Sequence, residues 1–222
     1  MIQPLSPESA FSPEARTINS GLEVRYAAVM DYLSIWQAMK EFTATRTQNT
    51  PDEIWLLQHS PVYTQGVAGK PEHLLYNHPG IPVVCTDRGG QITYHGPGQI
   101  IAYLLLDMRR LKLGVRELVR KMEGAVVDLL CDYCVDARGN EEAPGVYVGE
   151  AKIAALGLKI KNGCCYHGLA LNVSMDLVPF MAINPCGYAG LRVTQTSDVG
   201  ITDGLETLQG KLAEKLRTRL EQ

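Results

Sequence analysis

The sequence predicts one α+β domain. Three segments repeat apolar residues every three or four positions, as amphipathic helices do, and eight shorter apolar runs alternate or cluster as strands do. The chain contains no internal repeat and no long linker. With 222 residues, of which 45% are hydrophobic, it is large enough to bury a core. We therefore expect a single domain over residues 21–222, preceded by a flexible N-terminal leader at residues 1–20.

Composition argues against several functions. The 21 basic and 24 acidic side chains give a net charge of −3, which provides no general attraction for nucleic acid. The longest uncharged apolar run, residues 99–106, is far shorter than the roughly 20 residues of a membrane helix. The N-terminus lacks the apolar segment of a secretory signal, and six cysteines are too few for a disulfide scaffold. We therefore expect reduced thiols and a cytoplasmic protein.

The first half of the chain predicts one helix among six strands. Residues 22–28 alternate apolar and polar side chains, as a half-exposed strand does. Asp31 is placed to cap a helix whose apolar face comprises Tyr32, Ile35, Trp36, Met39 and Phe42. Residues 43–53 are mostly polar and are interpreted as a loop. The remaining strand candidates are 54–58, 62–65, 81–86, 92–95 and 100–106.

The second half predicts two helices around a pair of strands. Residues 114–132 have an apolar stripe at helical spacing, and residues 146–160 and 166–173 are the strands. The last helix carries leucines at three- and four-residue spacing. Asp203 and Glu206 have the spacing of a capping box, so we expect the Asp203 carboxylate to cap the first turn of this helix.

The most unusual segment is 86–99, which holds four glycines, an arginine and a histidine between two apolar strands. Glycine permits positive φ and close approach of the backbone, so a ligand can lie against main-chain N–H groups. A hairpin turn alone needs only one or two such residues. The segment lacks the Gly-Lys-Ser/Thr ending of a phosphate-binding loop. A glycine-rich connection without a ligand is the alternative interpretation.

Cys186 lies in a second unusual segment, 183–188, where Asn-Pro predicts a turn and a glycine follows the cysteine. A thiol on such a turn is a candidate nucleophile, and the alternative is a buried structural cysteine. An attacking thiol needs a base or a cation nearby. His95, His167 and Lys152 are the candidates, and the residues alone do not choose among them.

Lys152 lies within the predicted strand 146–160. Strand alternation places Lys152 and Ala154 on one side, with Ile153 and Ala155 on the other. A lysine that faces a partly dehydrated cleft either loses its proton near neutral pH or stays charged and holds a thiolate as an ion pair.

Two cysteine clusters raise the question of a metal site. Cys131 and Cys134 form a CxxC, and Cys164 and Cys165 precede His167 by a short spacing. Structural zinc usually takes two compact pairs of ligands. The first pair here falls at the end of an amphipathic helix, so burial is the simpler expectation. We expect no metal.

Four motifs carry a family resemblance. They are DRGGQITYHGPGQ at 87–99, GEAKIAALG at 149–157, HGLALNV at 167–173 and INPCGY at 183–188. In content and order they resemble the lipoyl(octanoyl) transferases, the octanoyl-[acyl-carrier-protein]–protein N-octanoyltransferases of lipoate biosynthesis. Residues 61–66 are similar to that family's early segment, and the resemblance covers about residues 54–200.

The resemblance implies a mixed α/β fold shared with lipoate- and biotin-protein ligases. It also implies transfer of an octanoyl group from octanoyl-acyl carrier protein to a specific lysine of lipoyl domains, the first step of endogenous protein lipoylation. Cys186 matches the family's acyl-thioester nucleophile, and Lys152 matches the base that activates it. The implied substrate-binding residues are Arg88, Gly89, Gly90, Gln91, Ile92, Thr93, Tyr94, His95, Ala155, Leu156, Gly157, Gly168, Leu169 and Ala170.

The implied partners are octanoyl-acyl carrier protein as donor, and lipoyl domains of 2-oxoacid dehydrogenases and the glycine cleavage H protein as acceptors. No cofactor is implied, because the donor is already a thioester. Six basic residues fall within 109–121, where Glu117 is the single acid. They predict a docking surface for acidic carriers, with a solvated helix face as the alternative.

Two other functions compete with this one. A lipoate-protein ligase shares the implied fold but activates free lipoate with ATP. A non-catalytic acyl-binding or scaffold protein would bury Cys186 without using its thiol.

Overall fold

The computed structural model describes residues 16–18, 21–76 and 78–222. Most of the predicted leader at residues 1–20 therefore lies outside the described residues. Strand β1 (Arg16–Ile18) is its described part, and the β1 backbone pairs antiparallel with β2 (Leu22–Met30). The flexible leader and the single domain over 21–222 stay predictions.

A mixed sheet forms the centre of the protein. The further strands are β3 (Asp52–His59), β4 (Val62–Gln65), β5 (Val83–Cys85), β6 (Ile92–His95), β7 (Gln99–Asp107), β8 (Arg138–Gly139), β9 (Gly145–Val148), β10 (Ala151–Lys161) and β11 (Cys164–Asn172). Among the described residues, eight strands form one sheet in the order β1-β2-β3-β7-β11-β10-β9-β8. β2 and β3 run parallel, whereas the other neighbouring pairs run antiparallel. β7 and β11 are buried along nearly their whole length because both faces of the sheet are covered.

Three helices of the described chain cover the two faces of this sheet: α1 (Tyr32–Thr45), α2 (Val115–Cys131) and α3 (Leu205–Glu221). α1 packs on one face through Ile35 and Met39, and α2 and α3 pack on the opposite face. Asp31 caps α1 as predicted, because its carboxylate accepts from the Ser34 N–H at 2.9 Å. Within the described residues, no helix combines the length and apolar character needed to cross a membrane. The α+β fold class is confirmed.

A smaller sheet, in the order β5-β4-β6, accompanies the large one. Tyr63 of β4 and Tyr94 of β6 form a separate apolar cluster with Phe180. β6 also contacts the turn that contains Cys186 (Pro185–Gly187). The small sheet therefore brings the glycine-rich segment and the Cys186 turn together.

Most predicted boundaries agree with the structure to within two residues. The single predicted strand 146–160 is wrong, because a turn at Gly149, whose φ is 58°, divides it into β9 and β10, which pair antiparallel. The polar segment 43–53 is an exception, since α1 continues to Thr45 and β3 begins at Asp52. Asp52 is buried because Arg46 and Arg110 both pair with its carboxylate, at 2.6 and 2.7 Å. These ion pairs let a polar residue enter a buried strand, which local polarity could not indicate.

The predicted capping box before α3 is wrong. Gly204 is the N-cap, and no side chain caps the first turn. The Asp203 carboxylate instead accepts hydrogen bonds from the Tyr133 hydroxyl at 2.6 Å and from Lys211 Nζ at 3.0 Å. A charged donor together with a hydroxyl displaces the weaker local cap.

A β-bulge changes which side chains of β10 share a face. Lys152 and Ala154 pair with consecutive residues of β9, so that Ile153 is the extra residue between them. Ile153 and Ala154 both belong to the core cluster that also contains residues of α2 and α3, whereas Lys152 shares a cavity with Ala155. The expectation that Lys152 and Ala154 lie on one side is therefore wrong, because one inserted residue reverses the alternation.

Candidate active site

A cavity of about 430 Å³ opens between β10, the glycine-rich segment and the Cys186 turn. Both Cys186 and Lys152 line it. Thirteen of the fourteen implied substrate-binding residues line it as well: Arg88, Gly89, Gly90, Gln91, Ile92, Thr93, His95, Ala155, Leu156, Gly157, Gly168, Leu169 and Ala170. Tyr94 lies outside the lining, because its ring packs against Tyr63 and Phe180. Segments that are far apart in sequence thus meet at one cavity.

Glycines let the glycine-rich segment lie directly against β10. The Gly89 N–H donates to Leu158 O at 2.8 Å, and a Cβ at Gly157 would come within 3.1 Å of Gly89 O. Arg88 is buried beside this contact and donates to Thr64 Oγ1 at 2.9 Å and to Gln91 O at 2.8 Å. The guanidinium group therefore fixes the backbone that forms this wall of the cavity.

Asp87 anchors the start of the glycine-rich segment. Its carboxylate accepts from Trp36 Nε1 at 2.8 Å, from His167 Nε2 at 3.0 Å and from the Tyr166 hydroxyl. Burial alone would raise the pKa of Asp87, but these three donors hold it well below its usual range. The φ of 64° at His167 brings its ring to the same carboxylate as the ring of Tyr166. The sequence did not predict these hydrogen bonds to Asp87, because the three donors lie at least 51 residues away from it.

Cys186 sits in a strained turn. Its φ of 56° is uncommon outside glycine, and such a conformation costs about 1–3 kcal/mol. The Gly187 N–H closes the turn on Asn184 O at 2.9 Å, and His73 O accepts from the Asn184 N–H at 2.8 Å. Cys186 is therefore held partly exposed, at the wall of the cavity.

The Lys152 ammonium lies 3.1 Å from the Cys186 sulfur. It also donates to Pro144 O at 3.1 Å and lies 5.1 Å from the centre of the Tyr147 ring. Burial alone would lower the pKa of Lys152, but the charge on the Cys186 sulfur and the hydrogen bond to it outweigh burial and raise this pKa. The geometry therefore allows the Lys152 ammonium to pair with a thiolate on Cys186.

The two histidine candidates have other partners. His95 Nδ1 lies 2.8 Å from Gln99 Oε1, and His167 is held by Asp87. Burial lowers the pKa of His95 to about 3, and burial also lowers the pKa of His167. Both rings are therefore neutral at pH 7 and supply no positive charge to a thiolate. Of the three candidates, the geometry favours Lys152.

The other paired cysteines lie apart from the cavity. Cys131 and Cys134 are exposed where α2 ends, so the expectation that this pair is buried is wrong. Cys131 is the last helical residue, and Cys134 lies in the following turn with a φ of 58°. Cys164 and Cys165 are buried in β11. Among the residues that the structure describes, no three His, Cys, Asp or Glu side chains group closely enough to hold a metal ion.

Comparison with known proteins identifies the family. The model of the lipoyl protein ligase A/B catalytic domain matches residues 31–216. An octanoyltransferase of Nitrosospira multiformis is 84% identical over 222 residues, which is the full length of both chains. The chain belongs to the lipoyl protein ligase A/B catalytic domain family. Within that family it groups with the octanoyltransferases, which are acyltransferases, and this confirms the resemblance that the motifs carry.

Solved structures confirm the predicted fold. Protein Ta0514 of Thermoplasma acidophilum, a putative lipoate protein ligase, matches with a TM-score of 0.73 at 19% identity, over 89% of this chain and 84% of that one. A biotin protein ligase of Aquifex aeolicus matches with a TM-score of 0.53 at 10% identity, over 89% and 68%. At these identities the likeness concerns the fold alone, and it is the fold that the family resemblance implied.

Several cavity residues were not predicted from the sequence. Tyr32 and Tyr103 line the cavity from α1 and β7, and Val115 and Val119 line it from α2. None of the four lies in a motif. Tyr32 was recognised only as part of an apolar helix face, which is the one signal the sequence offered for it.

Lys152→Ala is expected to slow alkylation of Cys186 by iodoacetamide about ten-fold or more at neutral pH, because the thiolate loses its cationic partner. Peptide mass spectrometry measures the rate at this residue. Lys159→Ala, on the same strand, serves as the control and should leave the rate unchanged. Loss of reactivity in His167→Ala but not in Lys152→Ala would show that the wrong base has been assigned.

Proposed function

We propose that the protein transfers an octanoyl group from octanoyl-acyl carrier protein to a specific lysine of lipoyl domains, through a thioester on Cys186. The observation that carries the proposal is the 3.1 Å contact between Lys152 Nζ and Cys186 Sγ at the wall of the cavity. High identity to an octanoyltransferase supports the acyl group and the class of reaction. The transfer is the first step of endogenous protein lipoylation.

In the first half-reaction, the Cys186 thiolate attacks the thioester carbonyl of the donor. The pantetheine sulfur leaves and takes a proton from the Lys152 ammonium, which becomes a neutral amine. The octanoyl group then rests on Cys186 while the carrier departs as a free thiol. An ammonium within hydrogen-bond distance of the nucleophile is well placed to deliver this proton.

In the second half-reaction, the amine of the acceptor lysine attacks the thioester on Cys186. The neutral Lys152 amine takes the proton that the attacking nitrogen loses, and the Cys186 thiolate is the leaving group. The ammonium–thiolate pair is thereby restored, so that the protons balance over the cycle. A lysine suits this chemistry because its acid and base forms act in succession.

Small residues make room for the acyl chain. Ala155 pairs with Ala170, and Gly157 pairs with Gly168, across β10 and β11. All four line the cavity, and the short side chains of Ala155 and Ala170 leave space for a narrow apolar slot. Gly157 and Gly168 instead allow the backbone at Gly89 and Ala102 to approach closely. An octanoyl group has six methylenes, and burial at about 0.8 kcal/mol each would supply about 5 kcal/mol of binding free energy. Such a slot would also select the chain by its length.

The donor thioester already carries the free energy for transfer, so the proposed reaction requires no ATP and no metal. A lipoate-protein ligase would instead activate a free acid with ATP. Incubation with ATP and free octanoate separates the two functions, because only a ligase forms the acyl-adenylate. We place the reaction in the cytoplasm, in keeping with six free cysteines.

Mixing the wild-type protein with octanoyl-acyl carrier protein is expected to add one octanoyl group to the chain, which intact-mass spectrometry detects. Cys186→Ala should abolish the adduct, whereas Cys131→Ala, which removes an exposed thiol, should retain it. Transfer to a lipoyl domain without an adduct would contradict the thioester route. Absence of both adduct and transfer would favour a non-catalytic acyl-binding protein.

We also propose that the basic segment 109–121 docks the acidic carriers. Val115 and Val119 of α2 line the cavity, and Arg116 and Arg120 directly follow these two residues in the same helix. Arg120 pairs with Glu141 at 2.8 Å, and both side chains are largely exposed. Such a surface pair is weak, so a carboxylate of the carrier can replace Glu141.

Replacing Arg116 and Arg120 together by Glu is expected to raise the KM for the donor about five-fold or more at low ionic strength, with little change in kcat. The effect should shrink as salt is added, because salt screens exposed charges. Lys161→Glu combined with Arg217→Glu makes the same change of net charge elsewhere and serves as the control. A KM that stays at the wild-type value at low salt would reject this docking surface.

A further inference from the structure

We propose that Glu123 is a positioning residue for the Lys152 ammonium and that it acts through the peptide unit between Pro144 and Gly145. The inference rests on the proposed function, in which Lys152 is the partner of the Cys186 thiolate. Glu123 lies on α2, outside the cavity lining and outside the four sequence motifs.

One peptide unit connects the carboxylate to the ammonium. The Gly145 N–H donates to Glu123 Oε1 at 2.8 Å. Pro144 O, at the other end of the same peptide unit, accepts from Lys152 Nζ at 3.1 Å. In a trans peptide unit the N–H and the C=O point in opposite directions. Rotation of this unit away from Glu123 would therefore withdraw Pro144 O from Lys152.

The electrostatics of this arrangement are favourable at both ends. The N–H end of a peptide dipole is positive and its C=O end is negative, so the carboxylate and the ammonium each face the end of opposite sign. An ammonium group has three N–H donors. Lys152 directs one donor to Cys186 and another to Pro144 O, so the carbonyl helps to fix the direction of the donor that meets the sulfur.

Gly145 permits the close contact between this peptide unit and Lys152. Its φ of 152° lies in the region that favours glycine. A Cβ at this position would come within 2.8 Å of Lys152 Cε and 3.0 Å of Lys152 Nζ. Any larger residue would displace either the peptide unit or the head group of the lysine.

The burial of Glu123 indicates that its carboxylate has a specific structural role. Its neighbours on the inner side of α2 are apolar, and Met122 and Val126 are fully buried there. Glu123 is only 6% exposed, and burial raises the pKa of its carboxyl group. A buried carboxyl group destabilises a fold unless hydrogen bonds satisfy it. The backbone N–H groups of Gly145 and Asn140 provide such bonds, and Gly145 belongs to the connection that also contacts the active site. The charges that face Glu123 are those of Lys152, which lowers its pKa, and Glu141, which raises it.

Two substitutions separate this role from simple packing. Glu123→Met keeps the length of the side chain and removes the acceptor, whereas Glu123→Gln keeps an acceptor oxygen without the charge. The measurement is the pH profile of Cys186 alkylation by iodoacetamide, with thermal unfolding as the check on folding. For Glu123→Met we expect a rate about ten-fold lower at pH 7 and a profile displaced to higher pH. Glu123→Gln should stay within about two-fold of wild type, as should the control Glu117→Gln on the exposed side of α2.

A wild-type profile in folded Glu123→Met would overturn the proposal. Equal losses in Glu123→Gln and Glu123→Met would also overturn it, because they would implicate charge rather than the hydrogen bond. If Glu123→Met does not fold, Glu123→Ala decides, since it also removes the acceptor and should show the same displacement, and a wild-type profile would refute the inference. The alkylation assay contains no acyl donor, so its result does not depend on octanoyl transfer. Failure to form an octanoyl adduct in the separate mass-spectrometry experiment would refute the proposed function, but it would not change the conclusion about Glu123.

Discussion

The chemistry of the protein depends on one contact, between the Lys152 ammonium and the Cys186 sulfur. Lys152 is only 3% exposed, and a charge in such a position shifts toward its neutral form unless a partner of opposite sign faces it. At a separation of 3.1 Å, the charged form of each group stabilises that of the other. The same contact places an acid beside a nucleophile, which is what acyl transfer between two carriers requires.

Three local departures from regular structure create this contact. The bulge at Ile153 turns Lys152 toward the cavity, the positive φ at Cys186 presents the sulfur, and Gly145 lets a peptide unit lie against the lysine head group. Each departure is unfavourable alone and persists because the surrounding structure fixes it. The large sheet provides that rigid surrounding, since β7 and β11 are buried along nearly their whole length.

Most elements of the fold were predictable because hydrophobic periodicity is a local signal. The division of the predicted strand 146–160 into β9 and β10 was missed, because both strands are apolar. Cys186 and Lys152 were located because each lies in a short motif. The side of β10 on which the Lys152 side chain lies was not predictable, because one inserted residue reverses the alternation of the strand. The prediction that Asp203 caps α3 failed for a different reason. Tyr133, which is 70 residues away in sequence, donates a hydrogen bond to the Asp203 carboxylate. The residues alone did not choose between a lysine and a histidine. The family resemblance implied Lys152, and the 3.1 Å contact with Cys186 favours the same residue.

Direct detection of the thiolate tests the ion pair. The ultraviolet difference spectrum between wild type and Cys186→Ala isolates this sulfur from the other five cysteines. We predict absorbance equivalent to about one thiolate per chain at pH 7, and its loss at that pH in Lys152→Ala. A thiolate band that emerges only at alkaline pH, and at the same pH in wild type and Lys152→Ala, would contradict the ion pair on which the mechanism rests.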